Sequence, residues 1–187
     1  MITRVILLLI GYLFGLIQNG HYISRALGVD ITHKGSGNVG ATNVLRVMGT
    51  KTGLLVFVLD MLKGFLPCLA VWFIFKNKAD ADIYVLYTGA GVILGHCFPV
   101  QFGFKGGKGI ACTAGLIISF GLVPTLLGIL IFFSTFFITH YVSLCSLLLY
   151  VVIFILIYAL YLFSFAITSD FIRLFSSSAK ASILKFD

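Results

Sequence analysis

The sequence predicts an all-α, polytopic integral membrane protein. Hydrophobic residues make up 60% of its 187 residues and charged residues only 10%, a balance with which a soluble domain could not cover its own apolar surface. The apolar residues gather in runs close to the roughly 20 residues that a helix needs to cross a bilayer. Those runs lack the period-two alternation of a transmembrane barrel strand, so helices must satisfy the backbone within lipid.

Five hydrophobic segments are clear, at residues 5–17, 53–75, 83–100, 110–139 and 141–168. The first, with Arg4 ahead of it, mimics a signal peptide, but no small-residue cleavage site follows and it reads as the first membrane helix. Residues 110–139 are too long for one comfortable span and carry Gly121 and Pro124 near the middle, which predicts two shorter helices there. The segments form a single transmembrane domain over residues 1–187, with residues 169–187 as a polar tail.

Between the apolar runs lie polar segments at residues 21–52, 76–82 and 101–109 and a short one around His140. Thirteen Lys and Arg stand against six acids, a formal charge of +7. The first and third segments hold cations without matching acids, whereas Asp80 and Asp82 offset Lys76 and Lys78 in the second. By the positive-inside rule the first and third are cytoplasmic and the N-terminus is outside, so both glycine-rich segments meet at one membrane face. The four cysteines stand singly in apolar surroundings without a C-x-x-C pair, which indicates neither a metal site nor a disulfide framework.

The first glycine-rich segment contains Gly35, Ser36, Gly37, Asn38, Gly40, Thr42, Asn43 and Arg46. Small residues let backbone N–H groups converge on an anion, and a helix beginning near Val39 would add its positive end. Phosphate is the natural guest. Gly35, Gly37 and Gly40 also satisfy a dinucleotide G-x-G-x-x-G pattern, but a membrane helix precedes them where a strand is required.

The second segment follows His96 and contains Lys105, Gly106, Gly107, Lys108 and Gly109. A nucleotide P-loop is excluded, because Phe102 stands where its first Gly belongs and Gly109 where Ser or Thr belongs. Two lysines three apart among glycines still form a compact cationic nest for phosphate. Asp60 and Lys63 lie one turn apart inside an apolar run and are expected to neutralise each other within the bundle. His140 and Ser143 occupy a further short break. The chain has no H-E-x-x-H and no G-x-S-x-G, so zinc and serine-hydrolase chemistry lack their motifs, and with six Asp and no Glu paired-carboxylate chemistry is poorly supplied.

The two glycine-rich segments, residues 35–46 and 95–109, resemble signature motifs of the bacterial acyl-phosphate:glycerol-3-phosphate acyltransferase family. The run from Asp60 to Gly64 is similar to that family as well, and the likeness covers roughly residues 11–120. The resemblance implies seven transmembrane helices in the bacterial inner membrane. It implies transfer of a fatty acyl group from acyl phosphate to the sn-1 hydroxyl of glycerol 3-phosphate, giving lysophosphatidic acid and phosphate for phospholipid biosynthesis. The partners so implied are acyl phosphate, glycerol 3-phosphate and membrane lipids, with no cofactor, metal or nucleic acid.

Carried over by motif, Ser36, Arg46, His96 and Lys105 form the catalytic set. Asn38, with Gly35, Gly37, Gly40, Thr42 and Asn43, binds and orients phosphate, while Gly106, Gly107 and Lys108 hold glycerol 3-phosphate beside Lys105. Ser143 corresponds to a serine of the family's later loop. The chain departs from the family in having Leu16 and Gln18 where Ser and Pro are usual, and its tail lacks the terminal Arg-His-x-x-Asn motif. That departure predicts slow turnover. The rival readings are a transporter or channel for a phosphorylated metabolite, a catalytically impaired member of the family, and a structural membrane subunit.

Overall fold

The computed structural model describes residues 1–152, 154 and 155. Among them every regular element is helical. The helices are α1 (Ile2–Gly15), α2 (Asn19–Ala26), α3 (Ala41–Met48), α4 (Thr50–Phe75), α5 (Ala81–Cys97), α6 (Ile110–Ser119), α7 (Leu122–Thr139) and α8 (Val142–Val152). Short 3-10 turns occupy Ile31–His33 and Val100–Phe102. Among the described residues, four stretches can cross a membrane by length and composition, namely Ile2–Ala26, Thr50–Phe75, Ala81–Phe102 and Leu122–Thr139. Helices α6 and α8 are apolar but shorter. The expected division of residues 110–139 occurs at Gly121, whose φ of 103° is open to glycine alone without strain.

The chain divides into two compact units, Met1–Ile129 and Leu130–Asp187, the second beginning within α7. In the first unit α1 and α5 run parallel. Arg4 pairs with Asp80 at 3.1 Å near the start of both helices, and the Tyr12 hydroxyl donates to the Phe98 carbonyl at 2.8 Å near their ends. Helix α4 runs antiparallel to them, bringing Phe75 against Tyr84 with ring centroids 4.9 Å apart. Leu7, Cys68, Val71, Val85 and Leu116 form the core that these helices and α6 share. In the second unit several polar side chains turn back on their own helix backbone, as when the Ser146 hydroxyl donates to the Val142 carbonyl at 2.6 Å.

Lipid is as apolar as a leucine side chain, so helices in a bilayer associate through close packing rather than by escape from water. Here that packing is backbone on backbone. A Cβ added at Gly91 would fall 2.1 Å from the Leu8 carbonyl oxygen, and one at Gly11 would fall 2.1 Å from that of Thr88. Gly15 and Gly95 repeat the contact one turn further along. Both helices thus carry a small-x-x-x-small pair, and the pairs interlock. Replacement Gly91→Leu is expected to destabilise the protein by about 1–3 kcal/mol through overpacking. Thermal unfolding in detergent measures it, and an unchanged midpoint would mean that α1 and α5 are not in contact there.

Candidate functional site

The first glycine-rich segment is folded by its own short polar side chains. The Asp30 carboxylate accepts from the Thr32 N–H at 3.0 Å and the Thr32 hydroxyl at 2.6 Å, which opens the turn Ile31–His33. The hydroxyl bond is the larger cause holding this carboxyl below its ordinary range. Buried Asn43 braces the loop from α3: its side-chain oxygen accepts from the Ser36 N–H at 2.8 Å, and its amide donates to the carbonyls of Lys34 at 3.0 Å and Asn38 at 2.9 Å. Gly35 and Gly37 sit at φ of 59° and 71°, conformations that side chains resist. Helix α3 starts at Ala41 rather than Val39, because Gly40 serves as its N-cap. Ser36, Thr42 and Arg46 remain exposed.

The second segment folds back on the end of α5. The Gly106 N–H donates to the Cys97 carbonyl at 3.1 Å and the Gly107 N–H to the His96 carbonyl at 3.0 Å. Between them and α5 the chain turns through Val100–Phe102 and left-handed Gly103, and Gly109 caps α6. Lys105 and Lys108 are exposed on this loop, whereas Gly107 is buried. His21 of α2 packs on Phe102, with ring centroids 4.5 Å apart.

Asn38 joins the two segments. Its amide donates to the Gly106 carbonyl at 3.1 Å while its oxygen accepts from the Gly40 N–H at 2.8 Å. The two basic loops, joined by this bond between residues 68 apart in sequence, therefore form one surface at one end of the helices, as their shared positive charge predicts. Asn38 and Asn43 both spend their amides on loop architecture.

Beneath this surface is a buried charged cluster. Lys63 Nζ lies 2.8 Å from Asp60 Oδ1 and 2.8 Å from His96 Nδ1, and it also donates to the Ile17 carbonyl. Asn19 donates to Asp60 Oδ1 at 3.0 Å. Asp60, Lys63 and His96 are 1%, 7% and 3% exposed, so each charge depends on the others for solvation. The break between α1 and α2 supplies this cluster: Gln18, itself buried, donates to the Gly15 and His96 carbonyls, each at 3.2 Å.

The mutual neutralisation of Asp60 and Lys63 expected from their spacing is present, and His96 joins it. His96 lies below the glycine pair rather than open at the surface. Sequence reasoning left Asn19 and the bonding role of Gln18 unassigned. The signal was available, for two adjacent amides interrupt an apolar run where a buried pair of charges needs hydrogen bonds. Ser143 belongs to the second unit, in α8. The absent Arg-His-x-x-Asn motif concerns residues outside those described.

Apolar helices closing on a paired buried charge, with two glycine-rich basic loops joined at one end, define a multi-pass helical membrane protein with an anion-suited surface. The chain belongs to the glycerol-3-phosphate acyltransferase family, whose model matches residues 5–183, well beyond the span over which the motifs themselves are legible. It is 45% identical to the glycerol-3-phosphate acyltransferase of Aquifex aeolicus over 141 residues, covering 75% of this chain and 71% of that one. A relative of the same description from Macrococcus caseolyticus is 42% identical over 144 residues, 76% of this chain and 72% of that one. The crystal structure of PlsY, an integral membrane glycerol 3-phosphate acyltransferase in its glycerol 3-phosphate form, superposes with a TM-score of 0.74 at 40% identity. That match covers 83% of this chain and 76% of the PlsY chain. A second PlsY structure, in the lysophosphatidic acid form, gives 0.73 over the same shares.

Proposed function

We propose that this protein transfers a fatty acyl group from acyl phosphate to the sn-1 hydroxyl of glycerol 3-phosphate. The products are lysophosphatidic acid and inorganic phosphate, and the family and the PlsY likeness support acyl transfer to glycerol 3-phosphate. The observation that carries the reading is the Asn38 bridge to Gly106, which makes one anion-suited surface of two basic loops. Two phosphorylated substrates need such a surface. The basic loops lie at the cytoplasmic face of the bacterial inner membrane with the N-terminus outside, and residues 1–187 act as one acyltransferase domain.

In this reading the glycerol hydroxyl oxygen attacks the acyl carbonyl carbon, an ester C–O bond forms, and the C–O bond to phosphate breaks. The hydroxyl proton passes to a phosphate oxygen and leaves with it. Acyl phosphate is already an activated anhydride, so no covalent enzyme intermediate is required, and the protein's part is to position charge and to stabilise it. Ser36 and Arg46 orient the acyl phosphate, while Lys105 and Lys108 hold glycerol 3-phosphate beside the glycine pair.

The test is purified protein with palmitoyl phosphate and labelled glycerol 3-phosphate, read as labelled lysophosphatidate. Replacements Ser36→Ala, Arg46→Ala and Lys105→Ala should each lower kcat/KM about ten- to hundredfold, the scale of one charge-assisted hydrogen bond. Wild-type kinetics in all three would remove the site. Palmitoyl coenzyme A accepted in place of palmitoyl phosphate would overturn the choice of donor.

A further inference from the structure

Lys63 has three N–H donors and no acceptor, and each donor has a partner: Asp60 Oδ1 at 2.8 Å, His96 Nδ1 at 2.8 Å and the Ile17 carbonyl. A ring nitrogen that accepts from an ammonium cannot carry its own proton. The proton of His96 must then be on Nε2, the nitrogen turned toward the second glycine-rich loop. There Gly107 packs directly on the ring, since a Cβ at that position would lie 2.0 Å from Nε2. The His96 main-chain carbonyl holds the same residue through the Gly107 N–H at 3.0 Å. One histidine thus supports the loop twice, by ring and by backbone.

We infer that Asp60 and Lys63 are positioning residues: they fix His96 as a neutral imidazole protonated at Nε2, and through it they set the height of the loop that presents Lys105 and Lys108. The order of control runs from Asn19 and Asp60 to Lys63, then to His96, then to the glycine pair. Asp60 holds the ammonium in place and Asn19 holds Asp60, at 3.0 Å. An imidazole so held does not act as a general base through Nδ1, whose lone pair is occupied. This deepens the proposed acyl transfer and rests on it for its kinetic consequence, but the state of the ring is measurable without turnover.

The experiment is 15N spectroscopy of histidine-labelled protein in lipid nanodiscs, with the His96 signals identified in a chain carrying His21→Gln, His33→Gln and His140→Gln. The expected spectrum shows an unprotonated Nδ1 and a protonated Nε2, and Lys63→Met should abolish that single state. A wild-type signal from the Nδ1-protonated tautomer or from imidazolium overturns the inference, as does an unchanged tautomer in folded Lys63→Met. If Lys63→Met does not fold, the wild-type spectrum alone decides. In the kinetic arm Lys63→Met should raise the KM for glycerol 3-phosphate and lower kcat/KM about ten- to hundredfold, with Lys63→Arg recovering much of the loss. Wild-type protein that transfers no acyl group would sink the proposed reaction and leave the spectral result standing.

Discussion

Replacing Asp60 by Ala should destabilise the protein by about 3–5 kcal/mol, the usual cost of leaving one member of a buried ion pair without its partner. Asp60 is almost wholly buried and its Oδ1 receives both Lys63 Nζ at 2.8 Å and Asn19 Nδ2 at 3.0 Å. Its removal strands a cation among apolar helices and takes an acceptor from Asn19. The remaining acceptors, His96 Nδ1 and the Ile17 carbonyl, are dipoles and do not neutralise charge. Water cannot take over, because Lys63 is 7% exposed. The double replacement Asp60→Leu with Lys63→Met should return most of the loss, since apolar residues of similar volume often substitute for a buried pair at little cost. Unfolding in detergent by denaturant or heat measures all three chains. A loss under about 1 kcal/mol for Asp60→Ala would place the pair among solvated surface salt bridges instead.

Replacing Gly107 by Ala should cost roughly a hundredfold in turnover, the scale on which a misplacement of about 1 Å is felt at a reacting centre. The new Cβ would stand 2.0 Å from His96 Nε2, 2.7 Å from Cε1 and 2.9 Å from Cδ2, so it meets the Nε2 end of a rigid ring rather than the end of a flexible chain. The ring cannot turn aside while Lys63 holds Nδ1. The loop must therefore lift, taking Lys105 and Lys108 with it and loosening the Asn38 bond to the Gly106 carbonyl. Gly103 is the contrast within the same loop, with open space where its Cβ would fall. Steady-state kinetics of Gly107→Ala, alongside its melting temperature, decide the matter. Unaltered kcat and KM would mean that the loop does not rest on His96.

The class of protein, its long apolar helices and its two glycine-rich segments were determined by the sequence itself. Lipid imposes a simple rule on the chain, that spanning residues be apolar and their backbone bonded internally, and this rule writes itself into run length. Gly121 and Pro124 likewise announced the division between α6 and α7, because a backbone break needs particular residues. The glycines and cations of residues 35–46 and 95–109 were legible for the same reason, as anion-suited loops draw on a narrow set of residue types. What those residues do to one another was decided by tertiary structure. Asn38 and Asn43 read as phosphate ligands, yet the packed loops direct both amides to backbone carbonyls. His96 read as a residue lining the site, yet the close approach of α4 and α5 buries it against Lys63. Gln18 and Asn19 carried no motif and acquired their roles because α1 ends beside two buried charges. Spacing along a helix reveals partners three or four residues apart. Partners 33, 41 and 68 residues apart are chosen by how the helices pack, and the interlocking glycines of α1 and α5 show that this packing depends on contacts between backbones rather than on hydrophobicity, which every face of these helices shares.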